Sequence, residues 1–156
     1  MARVVIVGGG IVGAGVAYHL GVIHGWDNIT VIDQGELPYN VGSTSHAPGG
    51  VVVASNSKLM ADMAFYSSKL YSTLDPVDDK HINYFPVGGL ELARTPERWQ
   101  DLHRLHSSCT AFGYQTHLLT AKETVGYLDY MDHKALSGSL LVKDSALVRG
   151  YHIVGD

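Results

Sequence analysis

The chain has 156 residues, 46% of them hydrophobic and 17% charged, enough to bury a core in one domain or in a piece of a larger one. A formal charge of −4 without a run of Lys or Arg excludes a nucleic-acid surface. The single cysteine, Cys109, excludes an internal disulfide or a cysteine-rich metal module and points to a reducing compartment, with the cytoplasm as the expectation.

The N-terminus superficially resembles a signal peptide, with Arg3 ahead of the apolar run VVIVGGGIVGAGVA. Glycines at 8, 9, 10, 13 and 15 make it a poor inserted helix. It also falls short of the roughly 18 apolar residues a membrane span needs. No small-residue cleavage site precedes Tyr18 and His19, so neither a targeting segment nor a membrane association is expected.

Arg3 to Val7 is a β-branched run ending in glycine and reads as a buried parallel strand. Ile11 to His24 has helical spacing, with Val12, Val16, Leu20 and Ile23 on one face. A turn over Gly25 to Asn28 leads to a second strand, Ile29 to Ile32, and then to Asp33. Strand, glycine turn, helix and strand in about 30 residues make a βαβ unit. Leu37 to Gly50 is a long loop rich in Gly, Pro, Ser and Asn, of the kind that carries function. Asn56 to Leu74 reads as a helix whose stripe of Leu59, Met63, Tyr66 and Leu70 is expected to pack into the core. Asp75 to His81 is a charged link, and the pattern loosens there.

Tyr84 to Ala93 reads as a strand or hairpin broken by Gly88-Gly89. Thr95 caps a helix with Pro96 at its first position, running to about Phe112 and ending at Gly113. Gln115 to Leu119 is a strand, Thr120 and Glu123 form a capping box for a short helix, and Ser139 to Val142 is a last strand before Asp144. His103 and His106, three apart, read as a solvated helix face, because no third metal ligand accompanies them. No metal site is expected. Glu91 reads as an exposed strand carboxylate and Tyr84 as a packed aromatic.

Gly8-x-Gly10-x-x-Gly13 lies directly after a strand and opens a helix. In a dinucleotide fold the first glycine makes the tight turn and the second admits the pyrophosphate. The third lets helix pack on strand, and the helix start, with Ile11 and Val12, offers amides to the diphosphate. Asp33 stands 20 residues after Gly13, where a carboxylate meets a ribose diol; beside it is Gln34. A 2′-phosphate is disfavoured there by charge, which leaves NAD or FAD.

The loop Gly42-Ser43-Thr44-Ser45-His46-Ala47-Pro48-Gly49-Gly50 separates the two. DQG followed by GSTSHAPG resembles the N-terminal flavin domain of the dimethylglycine oxidase, dimethylglycine dehydrogenase and sarcosine dehydrogenase group, within the D-amino-acid-oxidase-like flavoproteins. The likeness continues through VGGLELA (Val87 to Ala93) and LLTAKE (Leu118 to Glu123), as far as about residue 145.

The resemblance implies an α/β fold: a Rossmann-like FAD-binding βαβ unit over 1–75, then part of a mixed substrate-side sheet over 76–156, incomplete at the C-terminus. It implies FAD as cofactor, attached covalently through His46. Ser43, Thr44 and Ser45 would serve the ring edge or the phosphates, and Gly49 and Gly50 would let the backbone lie against the ring. The implied reaction is oxidation of the C–N bond of an N-methylglycine, dimethylglycine or sarcosine. The two electrons would pass on to oxygen or to an electron-transfer flavoprotein. Tetrahydrofolate would enter only with a C-terminal module.

No residue of this chain is singled out as catalytic. Asp144-Ser145 departs from the family's Asp-Gly, Val148 to Gly150 reads as a degraded helix, and GYHIVGD does not resemble the family. The other readings are a non-catalytic dinucleotide-binding fragment that needs a partner chain, and an NAD-dependent dehydrogenase domain.

Overall fold

A computed structural model describes residues 2–36, 42–74 and 83–155. The link read at Asp75 to His81 and residues 37–41, the first part of the loop read at Leu37 to Gly50, lie outside these residues. The chain forms two compact units, each assembled from separate stretches: 1–49, 73–84 and 148–156 in the first, 50–72 and 85–147 in the second.

The first unit is built on the βαβ element. β1 (Val4–Val7) and β2 (Ile29–Ile32) pair in parallel, Val4 opposite Ile29 and Val7 opposite Ile32. The N–H of Gly8 donates to the Ile32 carbonyl at 2.7 Å and carries the ladder one step past the strand. Between the strands, α1 (Ile11–Tyr18) continues into a π-helical turn, His19–Ile23. Sequence periodicity alone reads that stretch as one uniform helix. α2 (Ser43–His46) lies inside the segment read as a loop, and α6 (Gly150–Gly155) closes the unit.

The apolar face expected on α1 is not buried: Val12 is 78% and Val16 43% exposed. The helix meets the strand through glycine. Gly13 is its buried residue, and a methyl group there would stand 1.8 Å from the Gly8 carbonyl oxygen.

In the second unit, β7 (Gly138–Val142) is central and buried at every residue. β5 (Gly89–Ala93) and β6 (Thr116–Leu119) flank it, both antiparallel. α4 (Pro96–Phe112) lays Leu102, Leu105 and Cys109 into a core shared with Val53, Ala93, Leu140 and Val142. Each fully buried leucine there is worth about 2 kcal/mol. Thr95 Oγ1 accepts from the Arg98 N–H at 3.2 Å, and Gly113 ends the helix at φ 90°, the left-handed cap the sequence predicts. The Thr120–Glu123 capping box is present on α5 (Ala121–Val125).

β3 (Gly50–Val51) and β8 (Ala146–Val148) pair antiparallel, with Val51 opposite Ala146. β4 is a two-residue strand, Tyr84–Phe85, distinct from β5, so the Tyr84 to Ala93 stretch is two strands divided at Gly88, φ 72°.

α3 (Lys58–Tyr71) corrects an expectation. Leu59 and Met63 of its apolar stripe are 68% and 56% exposed, and Tyr66 is exposed too. The helix approaches its unit instead through the small residues Ala61 and Ser68, whose hydroxyl donates to the Asp144 carbonyl at 3.1 Å. Small residues allow closer approach than a methionine or tyrosine face. Among the described residues no helix is long and apolar enough to cross a membrane.

Candidate functional site

The site is assembled in the first unit, at the carboxyl ends of the two parallel strands. Gly8 turns the chain at φ 102°, open to glycine at little cost. The Gly13 contact then fixes how tightly α1 follows. Any side chain at 13 collides with backbone, so the third glycine of the motif is demanded by the fold itself.

Asp33 leaves β2 half-buried and ties two turns together. Its Oδ2 accepts the Gly9 N–H at 2.7 Å and its Oδ1 accepts the Gly35 N–H at 2.9 Å. Neither glycine stood among the residues picked from the sequence. The signal was there in the middle glycine of the GGG run and in DQG, but a motif read by its spacing passes over both. Val7, Gly8, Ile32, Asp33, Gln34, Gly35 and Gly42 line a pocket of about 490 Å³. Gln34 is exposed at its edge.

At the start of α1 the Ile11 N–H donates to Thr44 Oγ1 at 2.9 Å. The next two amides, of Val12 and Gly13, meet no protein acceptor among the described residues. They are first-turn donors at the positive end of a helix. Ser43, Thr44, Ser45 and His46 are α2 itself, capped at Gly42, so the string read as a loop is a single helical turn beside the start of α1. His46 is exposed, and its Nδ1 lies 3.0 Å from the Gly42 carbonyl oxygen. Gly49 needs its own conformation for the fold: at φ 78°, a methyl group there would stand 1.9 Å from the Val148 carbonyl oxygen. Gly50 opens β3 opposite Leu147, with nothing within 4 Å of where a methyl group would be.

The remaining candidates have structural partners. Glu91 pairs with Arg98 at 2.6 Å. His103 stands edge-on to Trp99, centroids 4.6 Å apart. His106 departs from the solvated-face reading, since its Nδ1 meets the buried Thr116 hydroxyl at 2.7 Å. Burial raises the Cys109 thiol above its ordinary pKa, which keeps it protonated and unreactive. Among the described residues no group of three metal-ligating side chains assembles.

A parallel βαβ unit with a glycine turn, an acid after its second strand and a pocket at the carboxyl strand ends defines the dinucleotide-binding α/β class. The chain belongs to the DAO family of FAD dependent oxidoreductases, whose profile matches residues 3–154. That family selects FAD over the NAD alternative.

Among its relatives is the mitochondrial pyruvate dehydrogenase phosphatase regulatory subunit of Mus musculus, 34% identical over 94% of this chain and 16% of that protein. The 4-methylaminobutanoate oxidase (formaldehyde-forming) of Paenarthrobacter nicotinovorans is 29% identical over 96% of this chain and 18% of its own length. The mitochondrial dimethylglycine dehydrogenase of Rattus norvegicus is 34% identical over 62% of this chain and 11% of its own. In fold the chain matches the crystal structure of glycine oxidase from Geobacillus kaustophilus, with a TM-score of 0.81 and 23% identity, over 98% of this chain and 42% of that one. The chain thus spans under a fifth of the curated relatives it matches.

Proposed function

We propose that this chain is the FAD-binding part of an oxidoreductase that oxidises the C–N bond of N-methylglycines, dimethylglycine or sarcosine. The observation that carries the reading is the Ile11–Thr44 hydrogen bond, which joins the GSTSHAPG segment to the start of the glycine-turn helix.

The residues fit FAD. The Gly8–Gly13 contact leaves backbone where a diphosphate needs close approach, and the Val12 and Gly13 amides suit its negative charge. Asp33 and Gln34 suit the ribose, and Gly8, Gly10 and Ile11 the turn beneath it. FAD bound there supplies the two-electron oxidation, while the protein supplies position and electrostatics. Ser43, Thr44 and Ser45 offer hydroxyls on the same helical turn, and Gly49 and Gly50 carry the chain onward from it.

His46 is the proposed point of covalent attachment. A carbonyl oxygen only accepts, so the bond to Gly42 puts the proton on Nδ1 and leaves the lone pair on Nε2. A neutral imidazole nitrogen of that kind is a nucleophile. The N-methyl amine substrate is supported by the names of the dimethylglycine dehydrogenase and the 4-methylaminobutanoate oxidase among its relatives. On the same reading 1–75 carries the nucleotide and 76–156 holds strands toward the substrate side. Cytoplasmic placement rests on the single cysteine, whereas two of these relatives are named as mitochondrial.

The test is titration of the purified chain with FAD, followed by acid precipitation of the complex. Quenched flavin fluorescence and yellow colour that stays with the precipitate are expected. Absence of quenching would remove the FAD reading, and colour lost to the supernatant would remove the covalent link alone.

A further inference from the structure

We propose that Thr44 is a positioning residue for this site, acting through Ile11 and held from behind by α6; the proposal rests on the FAD-binding reading.

The first amides of a helix need acceptors from outside it, normally a side chain at the preceding position. In α1 that position is Gly10, which has none. Thr44 supplies the acceptor from 33 residues away: its Oγ1 takes the Ile11 N–H at 2.9 Å. Gly10 is small because of it, since a methyl group there would stand 3.0 Å from the same oxygen. A hydroxyl that accepts this bond keeps its own proton to donate, which suits an anionic neighbour.

Thr44 is also gripped on its other side. A methyl group at Gly150 would stand 3.0 Å from the Thr44 carbonyl oxygen and 3.7 Å from its Cγ2. Two residues before Gly150, the Val148 N–H donates to the Gly49 carbonyl at 2.8 Å. The stretch from Val148 to Gly150 therefore holds the histidine-bearing segment at residues 44 and 49, and Thr44 passes that placement to the start of α1. The threonine is fitted to both tasks: its oxygen serves Ile11 and its methyl faces α6.

Two substitutions separate these roles. Thr44→Val keeps the shape and loses the acceptor, whereas Thr44→Ser keeps the acceptor and loses the methyl. On the full chain, T44V is expected to weaken FAD binding about tenfold in a fluorescence titration, the equivalent of one hydrogen bond. T44S should stay within about twofold of the parent. Without FAD, amide exchange at Ile11 should quicken in T44V and be rescued in T44S. FAD affinity and Ile11 exchange in T44V equal to the parent's would overturn the proposal. Failure of the unmutated chain to bind FAD would overturn the FAD reading alone, because Ile11 exchange reports the latch without cofactor. Should T44V not fold, Gly150→Ala pushes on the Thr44 carbonyl and is expected to speed the same amide; unchanged exchange there would count against the proposal.

Discussion

Asp33 and Gly9 lie 24 residues apart and are joined at 2.7 Å, carboxylate oxygen to backbone N–H. The bond turns an acid expected only to meet a ribose into a brace for the glycine turn, with Gly35 on its other oxygen. Asp33→Ala is therefore expected to cost stability as well as nucleotide affinity, by about 2 kcal/mol for two charge-assisted bonds lost together. Thermal melts of the chain without FAD check this. An Asp33→Ala protein that melts like the parent would confine the residue to ligand contact.

Gly13 and Gly15 make a matched pair within α1. At Gly13 an added methyl meets the Gly8 carbonyl oxygen at 1.8 Å; at Gly15 nothing stands within 4 Å. Gly13→Ala should destabilise by about 3 kcal/mol, since backbone cannot give way as a side chain would. Gly15→Ala should stabilise by about 1 kcal/mol through helix propensity alone. Denaturant midpoints of the two variants should move in opposite directions.

What could be read beforehand was what local chemistry dictates. Val4–Val7, Ile29–Ile32, the Thr95 and Gly113 caps and the Thr120–Glu123 box all follow from neighbouring residues. The α2 turn was hidden because Ser, Thr and Gly at 42–45 are poor helix formers; its placement comes from Ile11 and Gly150, far along the chain. The stripe on α3 misled for a related reason. Periodicity finds an apolar face, but Ala61 and Ser68 determine which face comes closest. In the candidate site Asp33 and Thr44 could be named from the motif and the string, but not their bonds to Gly9 and Ile11.

Thr124 and Ser139 form a hydroxyl pair at 2.7 Å in the second unit, with both residues fully buried. Thr124 also donates to the Thr120 carbonyl at 2.9 Å, so the shared proton comes from Ser139. Thr124→Val strands that donor and should cost about 1–3 kcal/mol. Adding Ser139→Ala removes the orphan, so the double variant should be more stable than Thr124→Val alone. Equal stability of the single and double variants would show that no desolvation penalty is at stake.

Tyr114, Asp62 and Lys58 give the second unit a dependence on pH at both ends. The Tyr114 hydroxyl donates to Asp62 at 2.6 Å, and Lys58 reaches the same carboxylate at 2.6 Å. Bonds from Lys58 and then Tyr114 hold Asp62 below its ordinary value of 3.8, while the bond to Asp62 pushes Tyr114 from 10.0 up to about 12. For Asp62 the folded value is the lower one, so its contribution is full above 3.8 and is lost as pH falls through the folded value. For Tyr114 the folded value is the higher one, so its contribution is full below 10.0 and is lost as pH rises toward about 12. Tyr114→Phe has no phenol to ionise. Its melting temperature should lie below the parent's at neutral pH, and the gap should close between 10.0 and about 12. A gap that stays constant through that window would place the tyrosine's contribution in packing against Phe65, whose ring centroid is 5.2 Å away, and not in its bond to Asp62.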